Sequence, residues 1–309
     1  MVSPSQKNSG NEASSFGTEI LLPVIDYDLA ATLDSGQAFR WQQKDNHWQG
    51  VLGKHFVRLK QVEGGIHAKT MEKVDDWHWL EEFLQSKTDL ISILKTFPID
   101  DPMTLAVASC RGLRLLRQDP WECLAAFILS STKQIVQIRQ IISLLCRKFG
   151  EPIMVPVGEA PAFSFPGPDK LAASTEADLR ACKMGFRAPG LLAAARRIDG
   201  GEFDLEVLKR MSYAEARHQL MTLHGVGGKI ADCVLLFAYG FDTSFPMDVW
   251  VKRALQELYF PRRRATEARL ARFAATHFGP HAGYAQQYLF HYVRTKLHLQ
   301  GRSVRPAIK

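Results

Sequence analysis

No two cysteines in the 309-residue sequence stand close enough to read as a metal-binding pair. The five present, Cys110, Cys123, Cys146, Cys182 and Cys233, are odd in number and widely spaced, and no CxxC occurs. That argues against a zinc site, a cysteine-ligated cluster and a disulfide framework, and points to a reducing intracellular compartment. No cofactor or metal is expected. Nor does any apolar run approach the roughly 20 residues a membrane helix needs, so no membrane partner is expected either. The segment Met1 to Thr18 is rich in Ser, Asn and Gly and lacks both arginine and an apolar core. It reads as a disordered tail, not a targeting peptide. Acidic residues become scarce toward the C-terminus. From Val249 to Lys309 there are 12 Lys and Arg against 2 Asp and Glu, whereas the preceding residues carry 27 against 30. A basic third on a near-neutral body suggests a polyanion partner, nucleic acid first, although a solvated basic face explains the charge equally well.

What is present is the composition of a globular protein, 46% hydrophobic and 23% charged, with length for two or three domains. From Ile20 to Ala68 short alternating runs (Ala38–Gln42, Trp48–Leu52, Phe56–Lys60) are separated by turn chemistry at Lys44–Asn46, Gly53 and Gly64–Gly65. The links are too short for crossover helices, so the sheet is antiparallel. A short helix is expected at Tyr27–Leu33, ended by Ser35-Gly36. Beyond Val74 the apolar spacing becomes helical, in segments that include Met103–Arg117, Pro120–Ser130, Lys133–Phe149, Phe203–Met211, Tyr213–Leu223, Lys229–Tyr239, Asp248–Leu258 and Gly283–Leu299. Gly150–Pro168 is a Pro/Gly-rich loop. The fold class is therefore α+β and mainly helical. The expected divisions are a tail (1–18), a β-rich domain (19–117), a helical domain (118–300) and a basic tail (301–309).

The stretch richest in chemistry is Met221–Trp250, which reads as helix, glycine turn, helix, loop, helix. In His224-Gly225-Val226-Gly227-Gly228 the glycines allow close backbone approach, and the free N–H groups of the next helix suit a DNA phosphate. Val226 can fold back and join the two helices. A helix-hairpin-helix is one reading, over about 213–240, and a tight interhelical connection is the other. Lys229 opens the second helix. By position alone it is more simply an exposed lysine; the alternative is that the positive helix end, with burial, favours the neutral nucleophilic amine. Asp248 reads as an N-cap, and a carboxylate held by backbone N–H groups is expected to stay ionised and available to stabilise developing positive charge.

The run Leu223-His224-Gly225-Val226-Gly227-Gly228-Lys229-Ile230-Ala231-Asp232-Cys233, followed by Pro246-Met247-Asp248-Val249, resembles the helix-hairpin-helix, Gly/Pro-rich loop and Asp motif of the DNA glycosylase superfamily. The Lys and Cys positions resemble its 8-oxoguanine DNA glycosylase/AP lyase family of eukaryotic type, which has bacterial members. Ser35-Gly36-Gln37-Ala38-Phe39-Arg40-Trp41 resembles that family's damage-recognition loop, Asp119-Pro120-Trp121-Glu122-Cys123-Leu124 with Ser130-Ser131 the start of its helical core, and Ala282-Gly283-Tyr284-Ala285-Gln286-Gln287-Tyr288-Leu289-Phe290 its pocket helix. The matches are in order and span about Ile20 to Leu299.

The resemblance implies a TATA-binding-protein-like N-terminal sheet domain and a helical glycosylase domain acting on a flipped-out base. Lys229 would attack C1′ of the deoxyribose and form a Schiff base, β-elimination would nick the strand, and Asp248 would stabilise the oxocarbenium-like transition state. Gly36 would offer its carbonyl to N7–H of 8-oxoguanine, where normal guanine presents a lone pair. Gln286 would read the Watson–Crick edge, Phe290 and Cys233 would sandwich the base, and Pro246, Met247 and Phe237 would complete the pocket. Gly225, Val226 and Gly227 would hold phosphate. The implied partner is double-stranded DNA carrying 8-oxoguanine or abasic sites, bound by a monomer in the cytoplasm and nucleoid of a bacterium or the nucleus of a eukaryote. Arg40 and Trp41 are read instead as structural and core residues.

The sequence departs from the family at the positions that read the opposite cytosine. Thr132 and Gln137 replace an Asn and an Arg, while Phe186-Arg187 keeps the aromatic wedge and second Arg. A weaker preference for cytosine is expected. Trp250 stands where relatives commonly have His. Two other functions compete. A same-fold glycosylase for other bases is disfavoured, because alkyl-base enzymes act without the lysine and the iron–sulfur relatives need cysteines after Cys233. A non-catalytic hairpin DNA-binding protein need not keep Lys229, Asp248, Gly36, Gln286 and Phe290 together.

Overall fold

The computed structural model describes residues 16–130 and 134–299. Thr132, most of the N-terminal tail and the basic tail lie outside them. Five antiparallel strands, β1 (Thr18–Pro23), β2 (Trp41–Lys44), β3 (His47–Leu52), β4 (His55–Val62) and β5 (Gly65–Thr70), are ordered β1-β5-β4-β3-β2. The first strand thus returns to pair with the last, Leu22 opposite Ile66. From β2 to β5 successive strands are joined by two-residue turns at the expected glycine and asparagine positions. Leu22, Trp41, Val57, Leu59, Ile66 and Ala68 face a buried core with Leu80, Phe83 and Leu84. Trp41 is 1% exposed and stacks on Phe83, as its reading as a core residue requires. The expected tail boundary comes too late. Thr18 already opens β1, and Phe16 stacks on Phe56 with centroids 6.5 Å apart.

The helices are α1 (Leu29–Asp34), between β1 and β2, then α2 (His78–Leu84), α3 (Leu90–Leu94), α4 (Asp101–Ser109), α5 (Pro120–Ser130), α6 (Ile135–Phe149), α7 (Pro168–Ala172), α8 (Glu176–Ala181), α9 (Ala188–Asp199), α10 (Tyr213–Met221), α11 (Gly228–Val234), α12 (Val249–Tyr259), α13 (Glu267–His277) and α14 (Ala282–Leu299). Helix α5 is buried nearly all round, from Trp121 to Leu129 with only Glu122 partly exposed, as a helix without a polar face must be. The expected loop 150–168 carries a short ribbon, β6 (Pro152–Ile153) with β7 (Ala162–Phe163). Its Glu159 reaches back to Lys44 and Arg58, at 2.8 and 2.9 Å, and so ties the loop to the sheet.

Three expectations need correction. The helix expected over Met103–Arg117 stops at Ser109, because Gly112 adopts φ +97° and a Cβ there would lie 2.6 Å from the Asp28 nitrogen. Residues 111–112 form a turn, and 113–117 belong to no helix or strand. The helix expected over Phe203–Met211 is only a 3₁₀ turn, Glu206–Arg210. The division expected at 117 does not divide the core, since Leu90, Ile93, Met103, Leu113 and Leu115 pack into the helical core with α5 and α14.

Candidate active site

Helices α10 and α11 and the turn between them form the hairpin. Val226 is buried (5% exposed) and its N–H donates to the Leu223 carbonyl at 3.1 Å, while Gly225 and Gly227 stay exposed at the tip. Asp232 pins the two helices together, accepting from Tyr213 Oη at 2.8 Å and Arg217 Nε at 2.7 Å. The Arg217 guanidinium also lies against Gly228. Ser244 Oγ donates to the Asp232 carbonyl at 2.8 Å and fixes the loop that leads to Asp248. Hairpin and loop are thus one braced unit.

Lys229 is the second residue of α11 and is half-buried. Its Nζ donates to Ser130 Oγ at 3.3 Å, at the C-terminal end of α5, and lies 5.2 Å from the centroid of the Phe127 ring. The Ser130 hydroxyl proton points the other way, to the Phe127 carbonyl at 2.8 Å. Neither Ser130 nor Phe127 was identified from the sequence as a site residue. Asp248 caps α12, accepting from the Val251 N–H at 2.8 Å, and the Trp250 N–H adds to the cap. Trp250 therefore serves the site through its backbone, with its ring packed against the core. The cap expected of Asp248 is present. Burial pushes its proton affinity up, against the opposing pull of the Val251 and Trp250 N–H groups and of Lys229. Cys233 is buried, and burial pushes its thiol up to about 12 despite a contact with Lys229. It is a neutral thiol at physiological pH. Lys229, Asp248 and Cys233 all lie within one another's electrostatic reach.

The segment beginning Ser35-Gly36-Gln37 sits at the C-terminal end of α1. Its carbonyls are filled one after another. Arg294 donates to that of Asp34, Gln287 Nε2 to that of Ser35 at 2.9 Å, and Gln118 Nε2 to that of Gln37 at 2.7 Å. Among the described residues the Gly36 carbonyl receives no hydrogen bond. Gly36 adopts φ +80°, and a Cβ on it would meet Ile135 Cδ1 at 3.1 Å and Phe290 Cε1 at 3.4 Å. The segment after Gly112 completes the frame. The Gln37 side chain donates to the Arg114 carbonyl and accepts from the Leu116 N–H, both at 2.8 Å. The misread helix is therefore the strap that holds this turn.

Gln286 lies one turn before Phe290 on α14. It is 4% exposed, and its Oε1 is buried without a partner. A buried amide oxygen left open carries a cost of about 1–3 kcal/mol, which a donor from a ligand would remove. Pro246 is buried and Met247 half-buried beside Asp248. Phe237 is placed differently from the pocket wall expected of it. It is 3% exposed in the π-helical turn Leu235–Tyr239 that extends α11, and it stacks on Phe127 at 5.5 Å. Phe127 in turn touches the Lys229 amine, so Phe237 supports that ring from behind.

Of the residues expected to touch DNA, Phe186 is 68% exposed, with the buried Arg187 guanidinium 4.3 Å over its ring. Gln137 is exposed in the first turn of α6, and its Oε1 accepts from the Gln134 N–H at 3.3 Å. Part of the C-terminal basic charge lies away from the site. Arg262, Arg263 and Arg264 are exposed beyond the far end of α12, roughly 15 Å from Asp248 at 1.5 Å per residue. A cavity of about 370 Å³ lies beside the sheet, lined by Phe39, Arg40, Trp41, Trp121 and Glu122 among others, and none of Lys229, Asp248, Gly36 and Gln286 lines it. Arg40 there acts structurally, reaching Glu122 Oε2 at 3.3 Å and the Phe163 carbonyl.

Comparison with known proteins gives a consistent result. A family model described as the N-terminal domain of 8-oxoguanine DNA glycosylase matches residues 19–124. The chain is 30% identical to a probable N-glycosylase/DNA lyase of Methanothermobacter thermautotrophicus, over 88% of this chain and 95% of that one. It is 29% identical to the N-glycosylase/DNA lyase OGG1 of Arabidopsis thaliana, over 88% of this chain and 77% of the other. Its fold is similar to that of Clostridium acetobutylicum 8-oxoguanine glycosylase/lyase in complex with double-stranded DNA containing cytosine opposite 8-oxoguanine. That match has a TM-score of 0.83 and 30% identity, covering 91% of this chain and 99% of that one.

Proposed function

The chain belongs to the 8-oxoguanine DNA glycosylase/lyase family, and on that premise we propose that it releases 8-oxoguanine from double-stranded DNA and nicks the abasic strand, with Lys229 as nucleophile. The observation that carries the assignment is the convergence of Lys229, Asp248 and the buried neutral Cys233 thiol at the hairpin, each within the others' electrostatic reach.

The neutral amine of Lys229 attacks C1′ as the bond from C1′ to N9 breaks, and the departing base takes up a proton. Loss of the amine proton and opening of the sugar give a Schiff base. Removal of a proton from C2′ then expels the 3′ phosphate. Asp248, as carboxylate, faces the positive charge that grows on the sugar. Ser130 accepts one N–H of Lys229, which leaves the amine lone pair directed elsewhere.

For the base itself, the free Gly36 carbonyl supports a role in accepting N7–H of the lesion. Normal guanine would face that oxygen with a lone pair, a difference worth roughly 1–3 kcal/mol. The open Oε1 of Gln286 supports a contact to the Watson–Crick edge, and Phe290 beside Gly36 supports stacking. Exposed Phe186, with Arg187 against it, supports a wedge at the vacated position. The hairpin tip at Gly225–Gly227 supports phosphate binding. The substrate places the protein's work on DNA in the cell, in the nucleoid of a bacterium or the nucleus of a eukaryote. Among the described residues no helix is long and apolar enough to cross a membrane.

Borohydride trapping on an 8-oxoguanine duplex tests the assignment. The wild-type protein is expected to give a covalent adduct and Lys229→Gln none. No adduct with wild type, or an undiminished adduct with Lys229→Gln, refutes it.

A further inference from the structure

We propose that Arg294 is a positioning residue for lesion recognition: through Asp34 it sets the direction of the Gly36 carbonyl. The inference rests on the role given to Gly36 above and adds the device that aims it.

Helix α1 ends at Asp34, so its last carbonyls need partners from elsewhere. Arg294 Nη2 donates to the Asp34 carbonyl and lies 3.3 Å from Asp34 Oδ2, while Arg139 Nη2 takes Oδ1 at 2.9 Å. Two arginines from two helices thus divide one carboxylate. Each lies one turn beyond an apolar side chain that walls Gly36. Arg139 follows Ile135 by four residues on α6, and Arg294 follows Phe290 by four on α14. Residues so spaced share a helix face. The faces that confine Gly36 therefore also grip the residue two positions before it. Arg294 Nη1 itself would stand 3.5 Å from a Gly36 Cβ, and its guanidinium lies 5.8 Å from the Phe290 ring centroid.

The Arg294 side chain is 13% exposed and that of Asp34 48%. A mostly buried arginine paired with a half-exposed carboxylate contributes little to stability compared with an apolar side chain of similar volume. What it supplies is geometry. With the carbonyls of Asp34, Ser35 and Gln37 all engaged, the plane of each flanking peptide is fixed, and the one open acceptor between them can point in only one direction. Arg294 holds the first of these, the only one tied by a charged group.

Two substrates separate this role from a structural one. An 8-oxoguanine:cytosine duplex needs the base to be read; a duplex with a preformed abasic site has no base to read. For Arg294→Gln, single-turnover base release is expected to fall at least tenfold, with nicking of the abasic site within twofold of wild type. Arg294→Lys, which can reach the Asp34 carbonyl with one donor, is expected to recover part of the loss. Should Arg294→Gln fail to fold, Asp34→Asn keeps the carbonyl and weakens both ion pairs, and a severalfold loss in base release alone is expected. Unchanged base release in Arg294→Gln, or an equal fall in both activities, overturns the inference while leaving the function intact. Wild-type protein that nicks abasic sites but releases no 8-oxoguanine overturns the Gly36 role and this inference with it.

Discussion

Lys229 Nζ meets Ser130 Oγ at 3.3 Å, and the serine's own proton is directed to the Phe127 carbonyl. Ser130 can therefore only accept from the amine. With Lys229 as the proposed nucleophile, this turns one N–H away from the sugar. A hydrogen bond of this kind is worth about 1 kcal/mol. Ser130→Ala is expected to slow single-turnover base release roughly fivefold and leave duplex affinity unchanged. An effect confined to affinity would show that Ser130 serves binding instead.

Asp248 carries opposite demands. Its carboxyl is raised by burial, so ionising it costs folding free energy. That contribution to stability is whole at low pH and is lost as pH rises through the raised value. Chemistry, however, uses the ionised form. Asp248→Asn keeps an N-cap of similar quality and removes the buried charge. Base release is expected to fall roughly 100-fold, while Tm at neutral pH rises by roughly 1–3 °C. In the wild type the acid limb of the rate profile is expected above the ordinary aspartate value, and in the variant it disappears. A variant that is less stable at neutral pH would contradict the burial argument.

The hairpin and the Asp248 cap were legible because they lie within one short stretch whose spacing is set by local geometry, whereas Lys229, by position alone an exposed lysine, was singled out by its resemblance to the family motif. Arg40 and Trp41 were also read correctly as structural. What it hid depends on tertiary contact. Ser130 and Phe127 reach Lys229 from a helix about a hundred residues away, and Arg294 meets Asp34 from the other end of the chain. The apolar periodicity of Leu113, Leu115 and Leu116 suggested a continuing helix, but Gly112 in the left-handed region ends it. Phe237 was assigned to the pocket by the family resemblance alone, and its stacking on Phe127 is a tertiary contact that sequence position does not reveal. The Asp248 cap was visible in the sequence, but the burial that raises its proton affinity was not.

Arg40 and Glu122 give a prediction about stability alone. Burial pushes the Glu122 carboxyl up, and the Arg40 charge holds it down. Arg40→Ala leaves a mostly but not fully buried acid without its counter-ion and the Phe163 carbonyl without its donor. A loss of about 2–3 kcal/mol is expected. Because the unpaired carboxyl prefers its proton, the deficit should be smaller at pH 5 than at pH 8, and urea melts at the two values measure it. Base release per folded molecule should match wild type. A deficit that grows as pH falls would show that Glu122 is not the group responsible.

The last prediction concerns the base opposite the lesion. Gln137 stands where the family places an arginine aimed at cytosine, and its Oε1 is turned back to the Gln134 N–H as part of the α6 cap. An amide so engaged presents at most two N–H donors, against five in a guanidinium. Base discrimination by a bidentate contact is worth about 1–3 kcal/mol. Without it, excision rates opposite cytosine, adenine, guanine and thymine are expected to lie within roughly one order of magnitude. Gln137→Arg gives up the cap contact, at a cost of about 0.5 kcal/mol, and regains donors directed at the orphaned base. It should raise the ratio of cytosine to adenine at least severalfold, with little change in the rate opposite cytosine. A wild type that acts opposite cytosine alone would place the discrimination elsewhere, at Arg187 first. In that event Gln137→Arg should leave the ratio unmoved.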